Sequence, residues 1–187
     1  MVDVVIEYAS ELVGTPYGFW QPDQKPDEGP FWAWNRPPPS VETVRGSSCS
    51  SSGLMNLIRR FQGLSVPGVV EGDEGAGGTW TWFRYLKRRG RLQQFDTSNK
   101  YPLGTLLIRD YTNEGDPGHM AMITSSCRNS VLDEMIIHSY ADEPRPSDGP
   151  NRVLPGVTVA PVHLSHLWYT NGYYTHTVKP EYWLLYD

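Results

Sequence analysis

Up to about residue 89 the apolar residues recur at helical spacing, and from about residue 102 they recur at strand spacing, with no β-α-β alternation. That order restricts the fold more than any other feature, because segregated helices and strands pack as helices on one antiparallel sheet. In residues 2–13, Val2, Val5, Ile6, Ala9, Leu12 and Val13 line one helix face, and Gly14 is a natural stop. Residues 51–62 form a second helix, with Leu54, Met55, Leu57, Ile58 and Phe61 on a broad apolar face and serines ahead of it as caps. Residues 79–89 form a third, whose basic last turn, Lys87-Arg88-Arg89, suits the helix dipole. After residue 102, "LGTLLIRD", "HMAMITS", "EMIIHSYA", "VHLSHLWY" and "EYWLLYD" read as strands. A chain of 187 residues fits one domain with a single core. The expected class is α+β, with N-terminal helices on an antiparallel sheet.

Two connections stand out. "GDEGAGG" (72–78) is a flexible turn. Residues 21–45, including "PFWAWNRPPPS", are too rich in proline for a helix or a central strand and are expected to be an ordered insert. The net charge of −5 offers no basic footprint, so a nucleic-acid partner is not supported. No apolar run approaches the roughly 18 residues of a membrane span. The start, "MVDVVIEYASELVG", lacks the marks of a signal peptide. That leads to an expected location in the cytoplasm, or outside the cell by a non-classical route. Cys49 and Cys127 are the only cysteines and do not make a disulfide scaffold, although they could pair.

Four stretches carry chemistry in a fixed order: "GTPYGFW" (14–20), "CSSSGLMNLIRR" (49–60), "PLGTLLI" (102–108) leading to "GHMAMI" (118–123), and "MIIHSY" (135–140). The series resembles the NlpC family of papain-like cysteine peptidases, whose stretches read "GTPYxWGG", "DCSGLV", "PGDLVFF", "GHVGIY" and "FIHAS". The resemblance covers roughly residues 4–140 and implies a papain-like α+β fold over the single domain. It implies His119 as base, His138 as the orienting third residue, and Tyr17 beside the nucleophile. The family glycines after "PYxW" are missing here, and Thr105 stands where the family has an acid. His138 follows His119 by 19 positions, through the polar insert "SSCRNSVLDE", a longer hairpin than the family's.

The chemistry accounts for such a set. Amide hydrolysis needs a nucleophile, a base beside it and a group that orients the base. A cysteine at a helix N-terminus has its pKa lowered by the dipole. The N–H groups of the helix start point where an oxyanion forms. Two registers compete for the nucleophile. Aligning "SSSGLM" with "DCSGLV" puts Ser51 in the cysteine's place, with Ser52 following as an oxyanion or substrate contact. From Ser51, the apolar positions i+3 and i+4 are Leu54 and Met55; from Cys49 they are Ser52 and Gly53. Helical geometry therefore favours Ser51, and Cys49 is the rival. A serine at 51 is either natural or a Cys→Ser change that inactivates the chain.

The remaining candidates are read from residue type. His163, His166 and His176 suggest zinc, but on a strand 163 and 166 face opposite sides, so no metal is expected. Trp168, Tyr169, Tyr173, Tyr174, Tyr182 and Trp183 read as core and cleft wall. Trp20, with Phe31, Trp32 and Trp34 of the insert, is expected to narrow the substrate cleft. The resemblance implies a thiol-type hydrolase of peptide or γ-glutamyl amide bonds that needs no cofactor. Its substrate would be a cell-wall (peptidoglycan) stem peptide with D-γ-glutamyl–diamino-acid bonds. An injected amidase toxin made without a classical signal, with an inhibitor or immunity protein as partner, fits the same facts, as does an intracellular peptidase or deamidase acting on another γ-glutamyl or acyl amide. An acyltransferase on the same fold and a non-catalytic binding module are the alternatives.

Overall fold

The computed structural model describes residues 1–18, 38–73, 75–109, 118–126, 130–141, 155–166 and 173–185, with backbone alone for 165 and 166. Its helices are α1 (Val2–Glu11), α2 (Val41–Arg45), α3 (Ser51–Phe61), α4 (Thr79–Arg88), α5 (Val162–His166) and α6 (Pro180–Leu184). Its strands are β1 (Gln93–Gln94), β2 (Leu106–Arg109), β3 (His119–Ile123), β4 (Met135–Tyr140), β5 (Gly156–Pro161) and β6 (His176–Val178). The strands form one sheet in the order β1-β6-β2-β3-β4-β5, antiparallel throughout. The class is α+β. No helix among the described residues is long and apolar enough to cross a membrane.

Strand alternation sorts the sheet into two faces. Leu106, Ile108, Met120, Met122 and Ile137 meet the helices in the larger core, with Leu54, Leu57 and Ile58 of α3, Trp82 and Leu86 of α4, and Trp183 of α6. Leu107, Ala121, Ile123 and Ile136 face the other way, under Val131, Val162, Tyr173 and Tyr174. α3 is the central helix, buried from Ser51 to Arg60. Its N-cap is Ser50, whose hydroxyl accepts the Gly53 N–H at 3.2 Å. α1 buries Val5, Tyr8 and Ala9, and Tyr8 stacks on Phe61 at 4.1 Å, which fixes α1 against α3. The turn before α4 is held rather than loose. Asn56 donates to the Gly77 carbonyl at 2.9 Å and accepts from the Trp82 indole at 2.7 Å.

Three expected elements differ. Val41–Arg45 is helical although it lies inside the proline-rich stretch. The prolines end at Pro39, and Ser40 then caps the Thr43 N–H at 3.3 Å, so nothing past residue 40 forbids a helix. Two segments expected as strands are helices at their described residues, α5 and α6. Pro180 occupies the first turn of α6, where its fixed φ favours a helix, and Trp183 and Leu184 reach the core. α5 begins directly after Pro161, with the Val162 N–H bonded to the Glu134 carbonyl at 2.9 Å. The later strands instead come from "GVTVAP" and "HTV".

Candidate active site

One end of the sheet gathers the chemistry. Arg109 ends β2, His119 starts β3, Ser139 and Tyr140 end β4, and Gly156 starts β5. The register pairs Arg109 with His119, Ala121 with His138, and Tyr140 with Gly156. His119, two residues from Ala121, therefore shares a face with His138. His119 Nε2 and His138 Nδ1 lie 3.0 Å apart, a hydrogen bond between buried rings at 82°. Three tyrosines surround the pair. Tyr140, Tyr173 and Tyr174 have ring centroids 6.0, 5.3 and 6.2 Å from His119. Arg109 lies 4.7 Å over the Tyr173 ring, which brings a positive charge beside the histidines. The pair projects from the face opposite Met120 and Ile137, whereas α3 packs on the face that carries those two residues.

The start of α3 is tied to that same end. Gly14 and Thr15 bond Val157 through Gly14 N–H to Val157 C=O at 2.9 Å and Val157 N–H to Thr15 C=O at 2.8 Å. Gly156 has φ +105°, and a Cβ there would strike the Thr15 carbonyl, so this close approach requires glycine. Cys49 N–H donates to Pro16 C=O at 3.0 Å, pairing Cys49 with half-buried Tyr17 in a parallel bridge. Ser139, next to His138 in sequence, donates its hydroxyl to the Cys49 carbonyl at 2.6 Å. At the helix start itself, the Ser50 and Ser52 hydroxyls lie 3.3 Å apart. Among the described residues, no hydrogen bond engages the Ser51 hydroxyl or the Ser51 and Ser52 N–H groups.

Cys49 has a different character. It lies two residues before the helix, is 0% exposed and belongs to the core beside α3. Burial pushes its thiol up to about 12, and the Ser139 hydroxyl offsets that only in part. That is the opposite of the depression expected for a thiol at a helix start. The thiol is free. Iodoacetamide at neutral pH should therefore leave Cys49 unmodified in the folded chain and modify it after denaturation, read by peptide mapping. Rapid native modification of the Cys49 peptide would contradict its burial.

Both histidines are held neutral. His119 is pushed well below its usual 6.5, first by burial, then by His138 and Arg109. His138 is pushed down to about 4 by burial. Among the described residues, the buried His138 Nε2 has no hydrogen-bond partner. Below pH 6.5 an unfolded chain takes up protons that these rings refuse. For His138 that contribution to stability is full above pH 6.5 and is lost as the pH falls toward about 4, and for His119 it is lost in the same direction. Urea melts should show stability falling by up to about 1.4 kcal/mol per pH unit for His138 over that window. His138→Asn should flatten the slope, and an unchanged slope would contradict the burial.

Sequence similarity adds nothing to this geometry. No protein-family model, curated protein or solved structure matches the chain.

The structure brings His119 and His138 together, ties Cys49 to the same sheet end through Ser139, and bridges Tyr17 to Cys49; Ser51 and Ser52 follow at the start of α3, and Trp20, Phe31, Trp32, Trp34 and Cys127 fall outside the described residues. The strand argument about His163 and His166 does not hold, since both lie on α5. His163 Nδ1 bonds the Leu132 carbonyl at 3.0 Å, and the two His176 nitrogens meet Thr175 and Gln94. Among the described residues no cluster of three His, Cys, Asp or Glu is arranged to hold a metal. Arg109, Ser139 and Tyr140 are additions that sequence reasoning missed. Tyr140 was within reach, since it stands two positions beyond His138 on the same strand.

Proposed function

We propose that the chain is an amide-bond hydrolase of the NlpC type on a papain-like fold, with Ser51 in the nucleophile's place, His119 as base and His138 as its orienting partner. The observation that carries this reading is the buried His119–His138 hydrogen bond at 3.0 Å, at the sheet end that also anchors the start of α3. His119 is neutral, and its Nδ1 bonds no described residue. For that nitrogen to accept a proton, Nε2 must carry the ring hydrogen and donate it to His138 Nδ1. His138 then carries its own hydrogen on Nε2, the buried nitrogen without a partner among the described residues. Leaving it unpaired costs about 1–3 kcal/mol, a cost consistent with a ring fixed for function rather than stability.

The reaction follows from these roles. The side chain at 51 attacks the carbonyl carbon as its proton passes to His119 Nδ1. The Ser51 and Ser52 N–H groups receive the developing oxyanion. His119 returns the proton to the leaving amine, the C–N bond breaks, and water then releases the acyl group by the same route. The proposed substrate is a peptide with a D-γ-glutamyl–diamino-acid bond. The test is incubation of the chain with such a peptide and mass-spectrometric detection of the two fragments. Cleavage lost in His119→Ala supports the reading.

Serine at 51 and the buried thiol at 49 also favour a second reading, a non-catalytic module that binds the same amide. Saturable binding of the peptide without cleavage, in the native chain and in Ser51→Cys alike, would select it.

A further inference from the structure

The overall charge of −5 hides a strongly basic face. Five of the sixteen Lys and Arg residues fall within residues 84–91, and no Asp or Glu occurs from 75 to 95. Trp80, Arg84, Lys87 and Arg88 recur at helical spacing along α4, Arg91 follows two residues past its C-cap against Tyr182, and all are exposed. Trp80 is 46% exposed, one of few large apolar residues so open. A basic last turn suits the helix dipole, but that accounts only for residues near Arg88; Arg84 and Arg91 lie outside it.

Among the described residues none of the five cations has a carboxylate partner, and four rest on aromatic rings instead. Arg84 lies 5.8 Å over Trp80, Arg89 3.7 Å over Tyr85 and Arg91 4.1 Å over Tyr182. A stacked guanidinium has lost much of its rotamer freedom, and the edges of its fork stay open to accept a planar carboxylate. The face is therefore organised in advance for anions.

We propose that the α4 face docks an acidic segment of a partner protein, with Arg84, Arg88 and Arg91 receiving its carboxylates and Trp80 covering its apolar stem. The face runs roughly 15 Å, the reach of one short helix or strand. Beyond it the chain holds eleven cations against 21 acids. At physiological salt, fields fade over about 8 Å, so a short acidic segment meets only the basic face. A long nucleic acid or an anionic membrane extends onto the acidic remainder and is repelled there. This docking is independent of any catalysis at the histidine pair.

The test titrates the whole chain into fluorescein-labelled decaglutamate and follows anisotropy at low and at physiological salt. Saturable binding is expected, weakened at least about tenfold in Arg84→Glu/Arg88→Glu. Arg88→Ser is the second variant: Arg88 is exposed and makes no described contact, so its loss leaves packing intact while still weakening binding. Equal binding by both variants overturns the proposal. So does tighter binding of a labelled single-stranded DNA or of phosphatidylglycerol vesicles than of decaglutamate.

Discussion

Ser51→Cys is expected to raise hydrolysis of a D-γ-glutamyl–diamino-acid peptide on the order of a hundredfold over the native chain. The side chain at 51 is the first residue of α3, where the dipole's positive end and unengaged N–H groups favour a thiolate. A serine hydroxyl gains far less there, because its own pKa stays far above neutrality. Adding His119→Ala to that variant should lower its rate by about two to four powers of ten, the usual worth of a positioned base. Cys49→Ala should leave the rate unchanged, since Cys49 sits in the core with its thiol pushed up to about 12. Unchanged activity in Ser51→Cys, together with loss in Cys49→Ala, would move the nucleophile to Cys49.

Arg59→Met should destabilise the fold by about 3–5 kcal/mol, or roughly 10 °C in Tm. Arg59 is fully buried in α3, eight residues beyond Ser51. It donates to the Ser65 carbonyl, to the Trp183 carbonyl at 2.7 Å and to the Tyr85 hydroxyl at 3.0 Å. Its guanidinium also lies 5.7 Å from the Trp82 ring centroid. One side chain thereby joins α3, α4 and α6. Methionine fills most of the volume but withdraws the donor from the buried Trp183 carbonyl and from the Tyr85 hydroxyl. Thermal unfolding followed by circular dichroism reads the effect. A loss below about 1 kcal/mol would show that these bonds are readily replaced.

What sequence could say about the molecule depended on local patterns. α1 and α3 were legible because each repeats an apolar stripe over ten residues or more, and α4 ends in the basic turn Lys87-Arg88-Arg89; the stripe of α3, together with the gap-free alignment, favoured position 51 over Cys49. α6 was not, since five residues of "PEYWL" are too few to separate helix from strand period. The proline at its first position was the available signal. His119 and His138 were singled out by motif, but their hydrogen bond depends on the register between β3 and β4 across a long hairpin. The full burial of Cys49, beyond the half-burial usual for a lone cysteine, was out of reach for the same reason: it follows from the bridge to Tyr17 and the bond from Ser139, 90 residues away. Tyr173 and Tyr174 reach His119 from the far end of the chain, and no local pattern announces that. The net charge, finally, averaged away the basic face of α4.

The central claim is that the side chain at 51 and His119 act together. The most direct measurement is the rate of iodoacetamide modification at residue 51 in Ser51→Cys, at neutral pH, compared with Ser51→Cys/His119→Ala and read by peptide mapping. The account predicts rapid modification at 51 that slows at least about tenfold without His119, and none at Cys49. Equal rates in the two variants, or faster modification of Cys49 than of residue 51, would contradict it.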